Sequence, residues 1–341
     1  MLRPRDLVVV GASAGGVEAL REFAGGLPAD FAASVLVVLH LPPAATSALP
    51  AILDRAGPLP VRQAGDGDTL APGHIHTAPP DRHLLVEDGH LRLSRGPTEN
   101  GYRPAIDALF RSASRSFGPA VTGVVLSGAL DDGVTGLELI KLRGGLAVVQ
   151  DPEDAIFPAM PRNALGRVKA DVVLPAKEMG GVLARQVLEH VDFAGSVPMP
   201  VVDEVESNVA GAGEAPGVPE VVDVSEPSGL SCPDCDGVLY SLHDRGHRYR
   251  CRVGHAWTAQ ALFQQQSGEV EHALWAALRA LEEQRDLAAR MAGEAQERGF
   301  PLVADRYRRH RAETAHAVDV LRRFLHSGIG VADTDVHDPS A

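Results

Sequence analysis

Short apolar runs without strict alternation recur through the first part of the chain: LVVV at 7–10, VLVVL at 35–39, VTGVVL at 121–126, LAVVQ at 146–150 and DVVL at 171–174. A strand covered on both faces needs no polar face, so runs of this kind predict parallel strands buried between layers of helix. The intervening stretches GGVEALREFAGGL, RPAIDALFRSAS and GVTGLELIKLRGG carry helical spacing and serve as crossovers. The fold class is therefore α/β, a doubly wound and mainly parallel sheet, with a domain boundary near residue 195. Residues 60–97 are rich in Gly, Pro and His, and HLLVEDGHLRLS alternates about Asp88-Gly89, which predicts a hairpin.

The pattern then changes. From 196 to 228 acidic residues (Asp203, Glu204, Glu206, Glu214, Glu220, Asp223, Glu226) occur with Pro and Gly and without Lys or Arg, which reads as a solvated linker with no fixed structure. A small Cys/His module follows at 229–257. Helical periodicity resumes at about 259–297 (Leu274, Leu278, Leu281) and 302–326 (Tyr307, Thr314, Val318, Leu321, Leu325), broken at Gly299-Phe300-Pro301. This predicts a helical hairpin over 258–328 that packs on itself or on another chain, and a disordered tail at 329–341.

Composition narrows the function. A chain of 341 residues with 45% hydrophobic content buries a substantial core, and a net charge of −13 argues against nucleic acid as a partner, which needs clustered Lys and Arg. No run approaches the length of a bilayer span, so no membrane insertion is expected. The start MLRPRDLVVVGAS leads into a strand in place of a secretion signal, and the expected compartment is the cytoplasm.

The candidate chemistry lies at strand ends. Gly11-Ala12-Ser13-Ala14-Gly15-Gly16 follows the first strand and opens a helix. A dinucleotide loop would need glycine where Ser13 stands and an acidic residue where the second strand ends in His40, and no P-loop lysine is present. Nucleotide binding is thus the third reading. A strand-to-helix turn with small neighbours instead exposes the Ser13 hydroxyl as in a nucleophile elbow. His40 is the available base, and the aspartates of LSGALDDG, Asp131 and Asp132, offer the orienting carboxylate at the same sheet edge. Backbone N–H groups near Ala14 and Ala129 are the oxyanion candidates.

Taken together, VVVGASAGGVEALREF, VVLHLPP, AGDGDTLAPGHIHTAPPDRHLLV, YRPAIDALFRSAS, VVLSGALDDGVTGL and VVQDPEDAIFPAMPRNAL make residues 5–190 resemble the catalytic domain of the CheB family, the chemotaxis protein-glutamate methylesterases. The resemblance implies Ser13 as nucleophile, His40 as base and Asp132 as third member, with Asp131 a structural neighbour. It also implies hydrolysis of glutamate methyl esters on a methylated chemoreceptor or similar signalling protein, glutamine deamidation as a second activity, and no cofactor for catalysis. The family's receiver domain is not expected, because Ser13 lies near the start. Where the family pattern has Met-Gly this chain has Ala129-Leu130. On that departure rests the alternative reading, a catalytically weak or inactive regulatory or scaffold protein acting through its C-terminal zinc and helical region. Arg103 and Pro104 fall in matching segments, with Arg103 read either as a substrate contact or as an exposed helix-start residue. His74, His76 and His83 lack metal-ligand spacing.

All three cysteines fall in the small module. Cys232-Pro233-Asp234-Cys235 and Cys251-Arg252-Val253-Gly254-His255 have the spacing of facing zinc knuckles, predicting a zinc-ribbon-like fold with structural Zn held by Cys232, Cys235, Cys251 and His255. His243 and His247 are alternative ligands. On a flexible linker such a module would act as a tether that restrains or targets the enzyme.

Overall fold

The computed structural model describes residues 2–193, 197–211, 225–242 and 248–327. The chain divides into two compact units, Met1–Leu262 and Phe263–Ala341.

A seven-stranded sheet organises the first unit, in the order Val172–Leu174, Leu146–Gln150, Val121–Val125, Leu7–Ala12, Ser34–Leu39, Ile75–Thr77, Val61–Gln63. All its pairings are parallel. Alternation along Leu7–Ala12 divides the core: Leu7 and Val9 face one apolar cluster with Leu109, Phe110, Leu137 and Ile140, while Val8, Val10 and Ala12 face the other with Leu20, Phe23, Leu53 and Leu183. Helices Ile106–Phe117, Val134–Leu142 and Ala159–Arg167 cover the first face, and Gly16–Gly26, Leu49–Ala56 and Ala176–Gln186 cover the second. This is the doubly wound arrangement that the runs predict. Two strands at one end of the sheet, Ile75–Thr77 and the edge strand Val61–Gln63, escaped the sequence reading because they are short and the edge one is largely polar and exposed.

The hairpin at Asp88-Gly89 forms between His83–Glu87 and His90–Ser94, with both turn residues at positive φ (48° and 80°) as a tight two-residue turn requires.

The strand order reverses around Leu7–Ala12. The chain passes from it to Ser34–Leu39 on one side and later returns to Val121–Val125 on the other. In open parallel sheets a crevice opens at that point beyond the C-terminal strand ends.

The acidic segment corrects one expectation. Within the stretch read as an unstructured linker, Val201–Gly211 is a helix whose Val202, Val205 and Val209 are buried with Leu242, and strand Ser225–Ser231 opens a four-stranded antiparallel sheet with Val238–Leu242, Arg248–Cys251 and Ala256–Thr258. The carboxylates there are not solvated: Glu206 and Asp203 are buried against Arg248, and Glu206 also meets Arg250. The cations that the segment lacks come from elsewhere in the chain, which composition within a window does not reveal. The Cys/His module therefore belongs to the first unit and is packed on it, not carried as a loose tether.

Helix Ala259–Glu297, which enters the second unit at Phe263, and helix Pro301–His326 run antiparallel, meeting through Leu278, Val318, Leu325, Leu274, Leu281 and Leu321, with Arg322 paired to Glu282. Of the predicted periodic positions, all but Tyr307 and Thr314 belong to this apolar seam, and the break falls at Gly299, whose φ is 78°. No helix among the described residues is long and apolar enough to cross a membrane.

Candidate active site and metal centre

Register brings the strand-end residues together. Ala12 pairs with Leu39 and Gly11 with Val125, so the next residues of each strand leave the sheet side by side. The His40 N–H donates to Ala12 O (3.2 Å) and the Ser13 N–H to Ser127 O (2.9 Å), extending the ladder past the last paired residues. Gly15, at φ 65°, turns the chain into helix Gly16–Gly26, and a Cβ there would meet Ser127 Oγ at 2.8 Å, so glycine is required on both counts.

His40 Nδ1 lies 3.0 Å from Ser13 Oγ, and His40 Nε2 lies 2.7 Å from Asp132 Oδ2. Asp132 is acceptor-only when ionised, so the ring proton belongs on Nε2 and the Nδ1 lone pair faces the hydroxyl. Tyr102 stacks flat on the imidazole, with centroids 3.7 Å apart and planes 8° off parallel, which fixes the ring's tilt. Ser13 remains partly exposed while His40 and Asp132 are buried.

Asp132 also caps a helix from outside its own segment. The N–H groups of Ile106 and Asp107, at the start of Ile106–Phe117, donate to Asp132 Oδ2 (2.7 Å) and Oδ1 (3.2 Å), and that helix has no side-chain cap of its own. Burial pushes the Asp132 carboxyl upward, but the His40 hydrogen bond and charge and these two backbone donors outweigh it, leaving the group below its ordinary value.

A family model described as CheB methylesterase matches residues 8–183. The chain belongs to the CheB methylesterase family. Relatives include a protein-glutamate methylesterase/protein-glutamine glutaminase of Methanosarcina mazei, 37% identical over 191 residues, which are 54% of this chain and 52% of the relative. One of Anaeromyxobacter dehalogenans with the same activities in its name is 40% identical over 173 residues, 50% of this chain and 48% of the relative. The chain thus spans about half the length of the curated relatives it matches. Among solved structures, the Thermotoga maritima CheB methylesterase catalytic domain superposes with a TM-score of 0.51 at 33% identity, covering 53% of this chain and 97% of that one.

The CheB pattern makes the neighbouring departures interpretable. Leu130, read from the sequence as a departure from the CheB pattern, has a φ of 60°, in the left-handed region that costs an L residue about 1–2 kcal/mol. Its carbonyl accepts from Asn163 Nδ2 (2.7 Å), and its side chain packs on the apolar cluster of the Cys/His module, Cys232, Leu239, Cys251, Trp257, Ala261 and Leu262. Packing against the module offsets the backbone cost.

Asp131 accepts a hydrogen bond from Thr258 Oγ1 (2.7 Å) and does not meet His40's ring. Burial raises its pKa to about 6, with the Thr258 hydrogen bond opposing and the charge of Asp132 reinforcing the shift. A carboxyl whose folded value exceeds its unfolded one weakens the fold as pH rises from about 4 to about 6. Asp131→Asn keeps the acceptor and removes that charge. It is expected to stabilise the protein at pH 7.5 by about 1–3 kcal/mol, and by much less at pH 4, in urea titrations.

Asn100 and Tyr102 were not singled out by sequence reasoning. Asn100 Nδ2 donates to Asp132 Oδ1 (3.2 Å), and the Asn100-Gly101 pair, both at positive φ, was the available turn signal. Arg103 is engaged by Asp81 through Nε (2.9 Å) and Nη2 (2.5 Å) and by Gly96 O, so it braces its loop. His83 is fully buried between Pro97 O and the Ala105 N–H, and His76 pairs with Leu36 on the neighbouring strand, four residues short of His40.

In the module, the ligand atoms of Cys232, Cys235, Cys251 and His255 all lie within 4.8 Å of one another. The pairs Cys232 Sγ–His255 Nδ1, Cys235 Sγ–Cys251 Sγ and Cys251 Sγ–His255 Nδ1 are 3.7, 3.6 and 3.5 Å apart. Tetrahedral zinc with bonds of about 2.0–2.3 Å has ligand–ligand edges of roughly 3.4–3.8 Å, so the donor set fits. The alternatives His243 and His247 lie outside the described residues.

Proposed function

We propose that the chain is a serine hydrolase that demethylates glutamate γ-methyl esters on a methylated chemoreceptor or similar signalling protein, with deamidation of glutamine as a second reaction of the same site. The observation that carries this reading is the continuous path from Ser13 Oγ through both nitrogens of His40 to Asp132, together with membership of the CheB family.

Ser13 Oγ attacks the ester carbonyl as His40 Nδ1 takes its proton, and Asp132 stabilises the imidazolium through Nε2–H. His40 then protonates the departing methoxide, releasing methanol and leaving an acyl group on Ser13. A water, deprotonated by His40, hydrolyses that ester and returns Ser13 and a free glutamate carboxylate. With a glutamine side chain the leaving group is ammonia.

Support for the oxyanion donors comes from peptide geometry. Ser13 O accepts from the Gly16 N–H (2.9 Å), and Gly128 O accepts from the Met160 N–H (2.9 Å). In planar trans peptides the N–H groups of Ala14 and Ala129 then point the opposite way, available to a developing negative charge.

No cofactor enters this chemistry. Cys232, Cys235, Cys251 and His255 would hold zinc in a structural role, since four protein ligands fill a tetrahedral shell and leave no position for substrate. In so small a module the metal would contribute folding energy.

The direct test is methanol release from a methylated receptor fragment by the purified full chain. Steady release that vanishes in His40→Ala is expected, and absence of methanol from folded protein with its zinc content intact would overturn the reading.

A further inference from the structure

The module touches the catalytic machinery at specific atoms. The strand Ala256–Thr258 directly follows the His255 ligand and runs beside the segment Thr98–Asn100: the Ala256 N–H donates to Thr98 O (3.1 Å), the Asn100 N–H donates to Ala256 O (2.8 Å), and the Thr258 N–H donates to Asn100 Oδ1 (2.8 Å). Asn100 is thereby held by backbone at both ends of the short strand, with its φ at 54°, and its remaining amide group reaches Asp132 Oδ1. Gly101 sits against the Trp257 ring, and the following residue, Tyr102, is the one stacked on His40. A second arm runs from Thr258 Oγ1 to Asp131, and a third packs Leu130 on the module's apolar cluster.

The attachment is deeply built. Arg250, fully buried, bridges Glu99 and Glu206 and donates to Gly254 O (2.6 Å) in the turn between Cys251 and His255. The Cys251 N–H closes the same turn on His255 O (3.0 Å). The knuckle that would carry the metal and the segment that holds Asp132 therefore share one seam, in which Glu99, Asn100, Arg250, Cys251, Ala256 and Thr258 are buried.

We propose that the Cys/His module is a working part of the esterase site: metal held by Cys232, Cys235, Cys251 and His255 fixes the strand Ala256–Thr258, which holds Asn100, and Asn100 is the positioning residue that keeps Asp132 and, through Tyr102, the His40 ring in register with Ser13. The inference rests on the esterase reading above. It makes the metal site a determinant of turnover although no substrate atom reaches it. Misplacing a catalytic group by about 1 Å costs on the order of 10²-fold in rate, so loss of this seam is expected to appear in kcat while substrate binding is retained.

The test uses the full chain with its zinc quantified, a water-soluble methyl ester as substrate, and the rate of Ser13 labelling by a fluorophosphonate as a second readout. Withdrawal of zinc with EDTA is expected to lower kcat and the labelling rate by about 10 to 100-fold with KM changed by less than about threefold, and zinc addition is expected to restore both. Asn100→Gly preserves the left-handed backbone and removes only the side chain. This variant is expected to keep its zinc, to show a comparable loss in kcat, and to respond little further to EDTA, because the link that zinc acts through has been cut. Where chelation unfolds the chain by circular dichroism, zinc-loaded Asn100→Gly decides alone. Full wild-type kcat in that variant, or in folded protein stripped of zinc, overturns the inference and leaves the esterase reading standing. Zinc-loaded wild type that neither labels at Ser13 nor releases methanol overturns the esterase reading, and this inference with it.

Discussion

Ser13→Ala is expected to reduce kcat/KM for ester hydrolysis by on the order of 10⁴ to 10⁶-fold without loss of thermal stability. The hydroxyl is partly exposed and, among the described residues, its hydrogen bond runs to His40 Nδ1, so its removal leaves no buried donor there stranded. Asp132→Asn is the instructive companion. The amide would place either its oxygen or its nitrogen toward His40 Nε2, but the N–H groups of Ile106 and Asp107 and the amide of Asn100 already demand acceptors at both Asp132 oxygens. With nitrogen at the Oδ1 position, the Asp107 N–H and the Asn100 amide would both face a donor; with nitrogen at the Oδ2 position, the Ile106 N–H would, and the imidazole would be driven to the tautomer with its proton on Nδ1, facing the hydroxyl it should deprotonate. A loss of about 10⁴-fold in kcat is expected, accompanied by destabilisation of about 1–3 kcal/mol that Ser13→Ala lacks. Paired rate and urea-denaturation measurements on the two variants separate these effects, and equal stability losses would contradict the hydrogen-bond assignment.

The second large effect concerns stability, and Arg250→Ala is expected to cost about 3–5 kcal/mol and to lower the melting temperature by roughly 10 °C, because it removes one of the two cations that Glu99 and Glu206 share in the interior and leaves both carboxylates leaning on Arg111. Burial pushes Glu99 upward, yet Arg111 and Arg250 outweigh it and hold the carboxyl down to about 2. A depressed carboxyl contributes stability above its unfolded value, near 4.5, and that contribution fades as pH falls toward about 2. With Arg250 gone the acid limb of the stability profile is expected to move to higher pH. Adding Glu206→Gln to Arg250→Ala is expected to recover part of the loss, since it removes one of two buried carboxylates left to share fewer cations. A melting temperature within about 2 °C of wild type for Arg250→Ala would mean that the module is not held by this network.

How much of this was legible in the residues depends on where each signal lies. The central strands announce themselves because burial on both faces leaves nothing but Val, Leu, Ala and Gly between residues 7 and 12. Ser13, His40 and Asp132 could be drawn to one edge because parallel strands finish at a common end, and the register then brings them within hydrogen-bond distance. The helical hairpin was equally visible, its seam written as Leu and Val at helical spacing. By contrast, helix Val201–Gly211 reads locally as acidic and solvated, since its partners Arg248 and Arg250 lie some forty residues away. The apolar spacing of Val202, Val205 and Val209 was present but outweighed by the surrounding charge and the neighbouring Pro and Gly. Asn100 was still less accessible. Its meaning comes from Thr258, 158 residues further along the chain, and no periodicity links the two. Leu130 shows the opposite case: the departure from the CheB pattern was plain in the sequence, and only the packed module explains why a leucine is held where a glycine would relax.

Turnover by this site requires the nucleophilicity of a single hydroxyl, that of Ser13. Reaction of the folded full chain with a fluorophosphonate, followed by peptide mapping, reads it directly. The expected result is one adduct, on Ser13, which is lost in His40→Ala although the serine is still present. Folded protein that carries no adduct, or carries it on a different serine, would contradict the central claim.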